Sequence, residues 1–362
     1  MIIYILQVPR AYEATASYNR VRLFKEGFEQ LNVQAEIRPL IIRHVNFLGK
    51  IVFLVENFFQ LLKLMRRLTK KDVLIIYGET YFTALYPLFK KLTNLVIERN
   101  EYPSFEINPN KSRTSYMNSI RNLNSYKYAD MFITCSTYLE RYYRRYTNDI
   151  VISPLIVDVA EYNNNRFVNT PPIEEKYVAY CGYFGNNKDG IPTLLEAFSI
   201  VSGYYPELML VLIGFGPEKD ISYFHEIIQK KEIDGKVIFT GRLPHSEVSN
   251  WLSHASMLAL ARPNNKQAEG GVPSKVGEYL SSGVPCVLTK VGDLPLYLKD
   301  GFDCFLSKPD SVEAFAEKMV ECLQSDTTQI CKNALNTVQQ FDYLIQTESL
   351  LKELKKRFSI CR

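Results

Sequence analysis

Short apolar runs alternate with helical stretches along almost the whole chain, and this rhythm restricts the fold more than any other feature. IIYILQV (2–8), VLIIY (73–77), LVIE (95–98), MFIT (131–134) and IVIS (150–153) have strand length and apolar residues on both faces. That is the pattern of strands covered on both sides. Helical patterns separate them at 20–31, 80–92, 113–128 and 137–146. The alternation resumes with strands at 178–182, 208–214, 237–241, 257–261 and 285–288. Helical patterns follow at 190–203, 218–232, 245–253, 310–324 and 341–357. Strand–helix–strand repetition specifies βαβ units and a parallel sheet, so the expected fold class is α/β.

One segment breaks the rhythm. VAEYNNNRFVNTPPIEEK (159–176) is polar and holds three consecutive asparagines and a Pro-Pro, the composition of a domain boundary. The chain has 362 residues, and single cores stop growing near roughly 250–300. Two Rossmann-like domains are therefore expected, 1–165 and 166–340, with a helix over 341–362 positioned to return to the first. Ligands of such sheets bind beyond the carboxyl ends of the strands, here in a cleft between the domains.

Charge is divided unevenly. Residues 1–165 hold 22 Lys and Arg against 15 Asp and Glu, a net of +7, while the remainder is slightly acidic. The two halves are thus expected to meet different partners. No nucleic-acid reader motif is present. The seven cysteines form no CxxC pair, and the four histidines are scattered, which fits a reducing compartment and offers no zinc spacing. MIIYILQVPR lacks a basic n-region and a small-residue cleavage site, and no stretch approaches the roughly 18–20 apolar residues of a membrane span. A cytoplasmic location is expected.

The most informative stretch is ARPNNKQAEGGVPSKVGEYLSSGVPCVLTKVGDLP (261–295). Gly270 and Gly271 leave the backbone uncrowded, Pro273 suits a first helical turn, and Ser274 is a candidate cap. A helix start opened by glycines is an anion site, because unpaired N–H groups and the helix dipole both favour negative charge. Lys275 adds a cation there, and Glu278 stands one turn further on.

Other candidates each have an ordinary alternative. Gly214-Phe-Gly216 lacks a third glycine, as residue 219 is Lys, so it reads as a tight strand-to-helix turn rather than a dinucleotide fingerprint. In CGYFGNNKDG (181–190), Gly182 and Gly185 permit close backbone approach. Lys188 is either a phosphate cation or a solvated lysine. Arg262, after an apolar strand, must find an anion: a diphosphate, or an acid such as Glu269. Glu98 and Glu101 follow a first-domain strand and are either acceptor-hydroxyl contacts or partners of arginines such as Arg99. Segment 51–68 places Ile51, Leu54, Val55, Phe58, Leu62 and Met65 on one helical face and Glu56, Gln60, Lys63 and Arg67 on the other. Packing of the apolar face on the sheet is the ordinary reading. With Lys50, Arg66, Lys70 and Lys71 nearby, contact with an anionic membrane surface is the other.

Together these pieces resemble the GT-B glycosyltransferases, in particular glycosyltransferase family 4, the group 1 glycosyl transferases. VAYCGYFGNNKDGIPTLLEAF resembles the opening of the family's donor domain, LVLIGFGPE its second strand and turn, and GGVPSKVGEYLSSGVPCVLTKVGDLPLYLKDG its signature stretch. YADMFITCSTYLERYY and ISPLIVD are similar to the end of its acceptor domain.

The resemblance implies two Rossmann-like domains facing each other across a cleft, and retaining transfer from a nucleotide sugar. By it, Glu278 holds the ribose, Lys188 contacts the diphosphate, and the backbone around Val272, Pro273, Ser274 and Lys275 cradles the phosphates. No metal is expected, since Lys188 and the helix dipole supply the positive charge. Two departures stand out. The first glutamate of the family motif falls at Gly270, with Glu269 one residue early, and the arginine paired with the lysine falls near Tyr183. Arg262 is the candidate substitute for that arginine. A glycine-rich loop after the first strand is replaced by ATASYNR (14–20), which brings Ala16, Ser17 and Arg20 forward as donor contacts. The expected activity moves a sugar from a UDP- or GDP-sugar to a lipid-linked or surface-polysaccharide precursor on the inner face of a membrane. A nucleotide-sugar epimerase and a non-catalytic sugar-nucleotide binder are the alternatives.

Overall fold

The computed structural model describes residues 1–7, 16–40, 47–108, 110, 112–163, 170–185 and 188–358. The chain divides into two compact units, 1–156 with 343–362, and 157–342.

Each unit is built on a six-stranded parallel sheet, as the α/β expectation requires. In the first, β1 (Ile2–Gln7), β2 (Gln34–Pro39), β3 (Val73–Tyr77), β4 (Asn94–Glu98), β5 (Met131–Thr134) and β6 (Ile150–Ile152) take the order β2-β1-β3-β4-β5-β6. In the second, β7 (Tyr177–Tyr183), β8 (Met209–Phe215), β9 (Val237–Gly241), β10 (Met257–Leu260), β11 (Cys286–Thr289) and β12 (Phe305–Ser307) take the order β12-β11-β10-β7-β8-β9. The first sheet is covered on both faces. Leu61, Leu64, Tyr86, Phe89 and Leu123 close one side. The helix Ala16–Gln30 and the final helix Tyr343–Phe358 close the other, with Phe24, Phe28, Leu350 and Leu354 in that core.

Among the described residues several elements escape the sequence pattern, including β2, β12 and a helix near the C-terminus. β2 reads QAEIRP and has one fully buried residue, Ala35. It is an edge strand, so charged residues occupy positions that a central strand would fill with apolar ones. β12 has only three residues, and the helix Thr328–Val338 carries a weakly apolar sequence, TQICKNALNTV.

The helix Phe47–Met65 corrects an orientation. The residues it packs inward are Asn57, Leu61 and Leu64, and Met65 of the expected face is partly buried against the same core. Val55 and Phe58, on the face expected to pack, are exposed together with Phe59. Ile51 and Leu54 of that face, and Lys50, lie outside the described side chains.

Candidate active site

In the second sheet, successive strands run outward from β7 to β9, and β10 then returns to pair with the other side of β7. The carboxyl ends of β7 and β10 therefore flank the topological switch point, where loops diverge and leave a crevice. β7 carries Gly182 near its end, and the loop after it carries Lys188 and Asp189. The residue after the end of β10 is Ala261, followed by Arg262, and the helix Ser274–Ser281 brings Lys275 and Glu278.

The centre of this site is Asp189, which the sequence reading passed over. It is 5% exposed. Its Oδ2 accepts from the Tyr180 hydroxyl at 2.8 Å and pairs with Lys275 Nζ at 2.8 Å. Oδ1 lies 3.5 Å from Arg262 Nε. Burial by itself would push the Asp189 carboxyl up, but Lys275, Arg262 and the Tyr180 hydrogen bond outweigh it and hold it at about 2. Burial and the neighbouring Asp189 push the Tyr180 phenol well above its ordinary value, so it remains a donor. The only sequence signal for Asp189 is its place at a strand's carboxyl end between Lys188 and Gly190, and a lone acid there is indistinguishable from a surface one.

Two glycines make the cluster possible. A Cβ on Gly182 would stand 2.1 Å from Lys275 Cε and 2.6 Å from the Tyr180 hydroxyl, so Lys275 reaches Asp189 across an absent side chain. Gly190 has φ +70, and a Cβ there would meet the Ala261 carbonyl at 1.8 Å. Only glycine permits that approach without strain, and it seats the β7 loop against the β10 loop.

Arg262 is 1% exposed. It donates to the Gly271 carbonyl at 2.8 Å and the Lys188 carbonyl at 3.4 Å. The acid it meets is Asp189, not Glu269, because the β7 loop folds back over it. Arg262 thus ties together the floor of the site, whereas the Lys275 side chain retains 19% exposure beside it and Lys188 is half-exposed.

The helix start differs from expectation by one residue. Pro273 occupies the cap position, Ser274 is the first helical residue, and no side chain caps the helix. The amides of Ser274 and Lys275 are therefore left to solvent or an anion. Val272 and Gly271 are half-buried, Gly270 is buried at the end of the short helix Lys266–Glu269, and Glu269 is half-buried. Glu278 stands close enough to the Cys181 thiol to help raise it: burial first, then Glu278, push that thiol up to about 12, with Lys275 opposing. Gly182, Lys188, Lys275 and Glu278 are thus gathered around the end of β7. Among the described residues, no group of three or more His, Cys, Asp or Glu could hold a metal ion.

In the first unit, Glu98 ends β4 and is 2% exposed. Its carboxylate accepts from Arg20 Nε at 2.6 Å and from Asn100 at 2.8 Å. Arg20 also donates to the carbonyls of Pro154 and Ser153 at 2.6 and 2.8 Å. Burial would lower the Arg20 guanidinium, but Glu98 beside it leaves it raised. Of the two sequence alternatives for Glu98 the structure realises the ion pair, with Arg20 rather than Arg99. Arg99 is separately buried, donating to the Tyr126 hydroxyl at 2.7 Å. Glu101 is exposed, and its carbonyl accepts from Tyr143. Ala16 is exposed and Ser17 half-exposed at the start of their helix, while residues 14 and 15 lie outside the described residues.

A family model described as "Glycosyl transferases group 1" matches residues 175–325. No curated protein matches the chain in sequence. Among solved structures, the sucrose-phosphate synthase of Thermosynechococcus elongatus is 16% identical with a TM-score of 0.75, over 100% of both chains. An Anabaena protein solved with UDP and glucose is 15% identical with a TM-score of 0.72, over 98% of this chain and 100% of that one. The pneumococcal O-GlcNAc transferase, solved with UDP and GlcNAc, is 14% identical with a TM-score of 0.72 over 99% of both. Residues 175–325, which contain the Asp189–Lys275–Arg262 cluster, are thus a group 1 glycosyl transferase domain, in a chain that has the GT-B glycosyltransferase fold.

Proposed function

We propose that the protein transfers a sugar, with retention of anomeric configuration, from a UDP-sugar or GDP-sugar to a lipid-linked or saccharide acceptor at the inner face of a membrane. The observation that carries the donor half is the cation Lys275, held by Asp189 at the uncapped start of Ser274–Ser281. A cation fixed beside unpaired amides is preorganised for a diphosphate leaving group. Lys188 supplies the second charge from the loop, so the reading assigns diphosphate neutralisation to these residues without a metal. Glu278, one turn into the same helix, takes the ribose hydroxyls. UDP accompanies both the Anabaena and the pneumococcal relative, which favours UDP over GDP. Asp189 is itself a carboxylate beneath the phosphate position and would repel the donor if unpaired; its ion pairs cancel that charge. The proton of the attacking hydroxyl is taken by the donor phosphate, which needs no protein base. Glu98, committed to Arg20, serves the first unit's architecture in this scheme, and the acceptor falls to other residues of that unit, Glu101 among them.

The test is a thermal-shift panel of UDP-, GDP- and dTDP-sugars, since a ligand that binds the folded state raises the midpoint. A UDP-sugar should stabilise the protein, and Lys275→Ala and Glu278→Ala should each abolish most of the shift. Were no nucleotide sugar to stabilise it, the donor assignment would be wrong. Product analysis separates transfer from epimerisation: an altered sugar released without any acceptor would favour the epimerase.

A further inference from the structure

The helix Phe47–Met65 covers one face of the first sheet with its polar-centred side and turns an apolar stripe to solvent. Asn57, Leu61 and Leu64 are inward and buried. At 100° per residue, Val55, Phe59 and Leu62 fall on the opposite side, with Phe58 on its flank. Val55, Phe58 and Phe59 are 48%, 44% and 58% exposed. One turn further along the same line stands Arg66, with Lys63 beside it, and both are exposed. Adjacent exposed phenylalanines on an ordered helix mark a surface that something covers.

Charge selects the cover. On the other face of the same sheet, the helix Ala16–Gln30 neutralises its own cations, with Arg22 paired to Glu26 at 2.9 Å and Lys25 to Glu29 at 2.7 Å. Phe47–Met65 contains one acid, Glu56, and runs into Arg66, Lys70 and Lys71, while Arg67 is paired with Glu36 at 3.1 Å. The half of the chain around it carries a net +7. An apolar stripe that passes into cations along one helix face matches a membrane interface, with rings at the acyl boundary and ammonium and guanidinium groups among phosphates. A second copy of the chain packed in parallel on this helix would instead set these cations near their own equivalents. No helix among the described residues is long and apolar enough to cross a membrane, so this helix would lie on the surface.

We infer that Val55, Phe58, Phe59 and Leu62, with Lys63 and Arg66, dock the protein on an anionic lipid surface. This rests on the proposal of a membrane-borne acceptor and names the face that meets the membrane. The test uses the full chain with vesicles of phosphatidylcholine alone or mixed in equal parts with phosphatidylglycerol, in low and high salt. The protein should sediment with the anionic vesicles, and high salt should weaken this. Phe58→Ser with Phe59→Ser, and separately Lys63→Glu with Arg66→Glu, should each reduce the bound fraction by about tenfold. Both variants should keep the wild-type melting temperature and its shift with a UDP-sugar, which reports an intact fold and donor site. If the wild type ignores anionic vesicles, the membrane reading and this surface both fail. If the wild type binds and the serine variant binds equally, only the surface is wrong. Equal binding to phosphatidylcholine alone would overturn the anionic specificity. A wild-type dimer in light scattering that the serine variant converts to monomer would assign the stripe to a second copy of the chain instead.

Discussion

At the scale of single residues, two buried ion pairs decide most of what can be tested. Asp189 is held at about 2 against an ordinary 3.8. A folded-state pKa below the unfolded one contributes stability that is present above the unfolded value and lost as pH falls through the folded one. Asp189 should therefore stabilise the second unit at neutral pH by on the order of 2 kcal/mol relative to its protonated form, and this should vanish between about pH 4 and about pH 2. Denaturation midpoints of wild type and Asp189→Asn, compared across that window, should converge as pH falls; a constant difference would show that the charge plays no part. Glu98 offers the complementary case. Removing one partner of a buried pair leaves an uncompensated charge, so Glu98→Ala should cost about 3–5 kcal/mol of first-unit stability. Its UDP-sugar affinity should stay near wild type, as measured by titration of the folded variant. A stable variant with lost transfer activity would instead return Glu98 to the acceptor role.

At the scale of elements, the helix Ser274–Ser281 is useful for what it lacks. With proline at the cap position, no side chain competes with an anion for its first amides. The approach of that helix to β7 depends on Gly182. In Gly182→Ala the new methyl would displace the flexible end of Lys275 and press on the buried Tyr180 hydroxyl, loosening the Lys275–Asp189 pair. Stability should fall by about 1–3 kcal/mol, and the Kd for a UDP-sugar should rise by about tenfold or more as Lys275 leaves its position. Calorimetric titration beside a thermal melt reads both. Gly190→Ala acts on the backbone instead. Its Cβ meets a backbone carbonyl in a left-handed conformation, so it should destabilise by more than about 1 kcal/mol.

At the scale of the molecule, the first unit is discontinuous in sequence. Its core includes Leu350, Leu351 and Leu354 from the last helix, packed with Val21, Phe24 and Phe28. Burying three leucines stabilises by about 5 kcal/mol in all, comparable with the whole stability of many domains. A chain truncated after residue 342 should therefore lose the first unit's cooperative melting transition and expose residues 16–30 to proteolysis, although the cut lies some three hundred residues away in sequence. Retention of that transition would show that the last helix is dispensable.

The α/β class and most strand positions were legible in the sequence, because hydrophobic periodicity and turn residues act over a few positions, and the motifs within 175–325 carried the resemblance that the family model matches. β3 and β9 occupy the segments read as VLIIY and VIFTG without a residue's difference. What the sequence left open are matters of distant pairing. Arg20 and Glu98 are 78 positions apart, and Lys275 finds Asp189 only because β7 and β10 lie side by side in the sheet. Phe47–Met65 is amphipathic, yet its periodicity does not say which side faces the sheet: Val55 and Phe58 of the apolar face stay exposed while Leu61 and Leu64 fit into the core. Local pattern therefore determined the elements of this protein. Tertiary structure decided which charges are neutralised and which apolar face stays in water, since both depend on neighbours that no window of sequence contains.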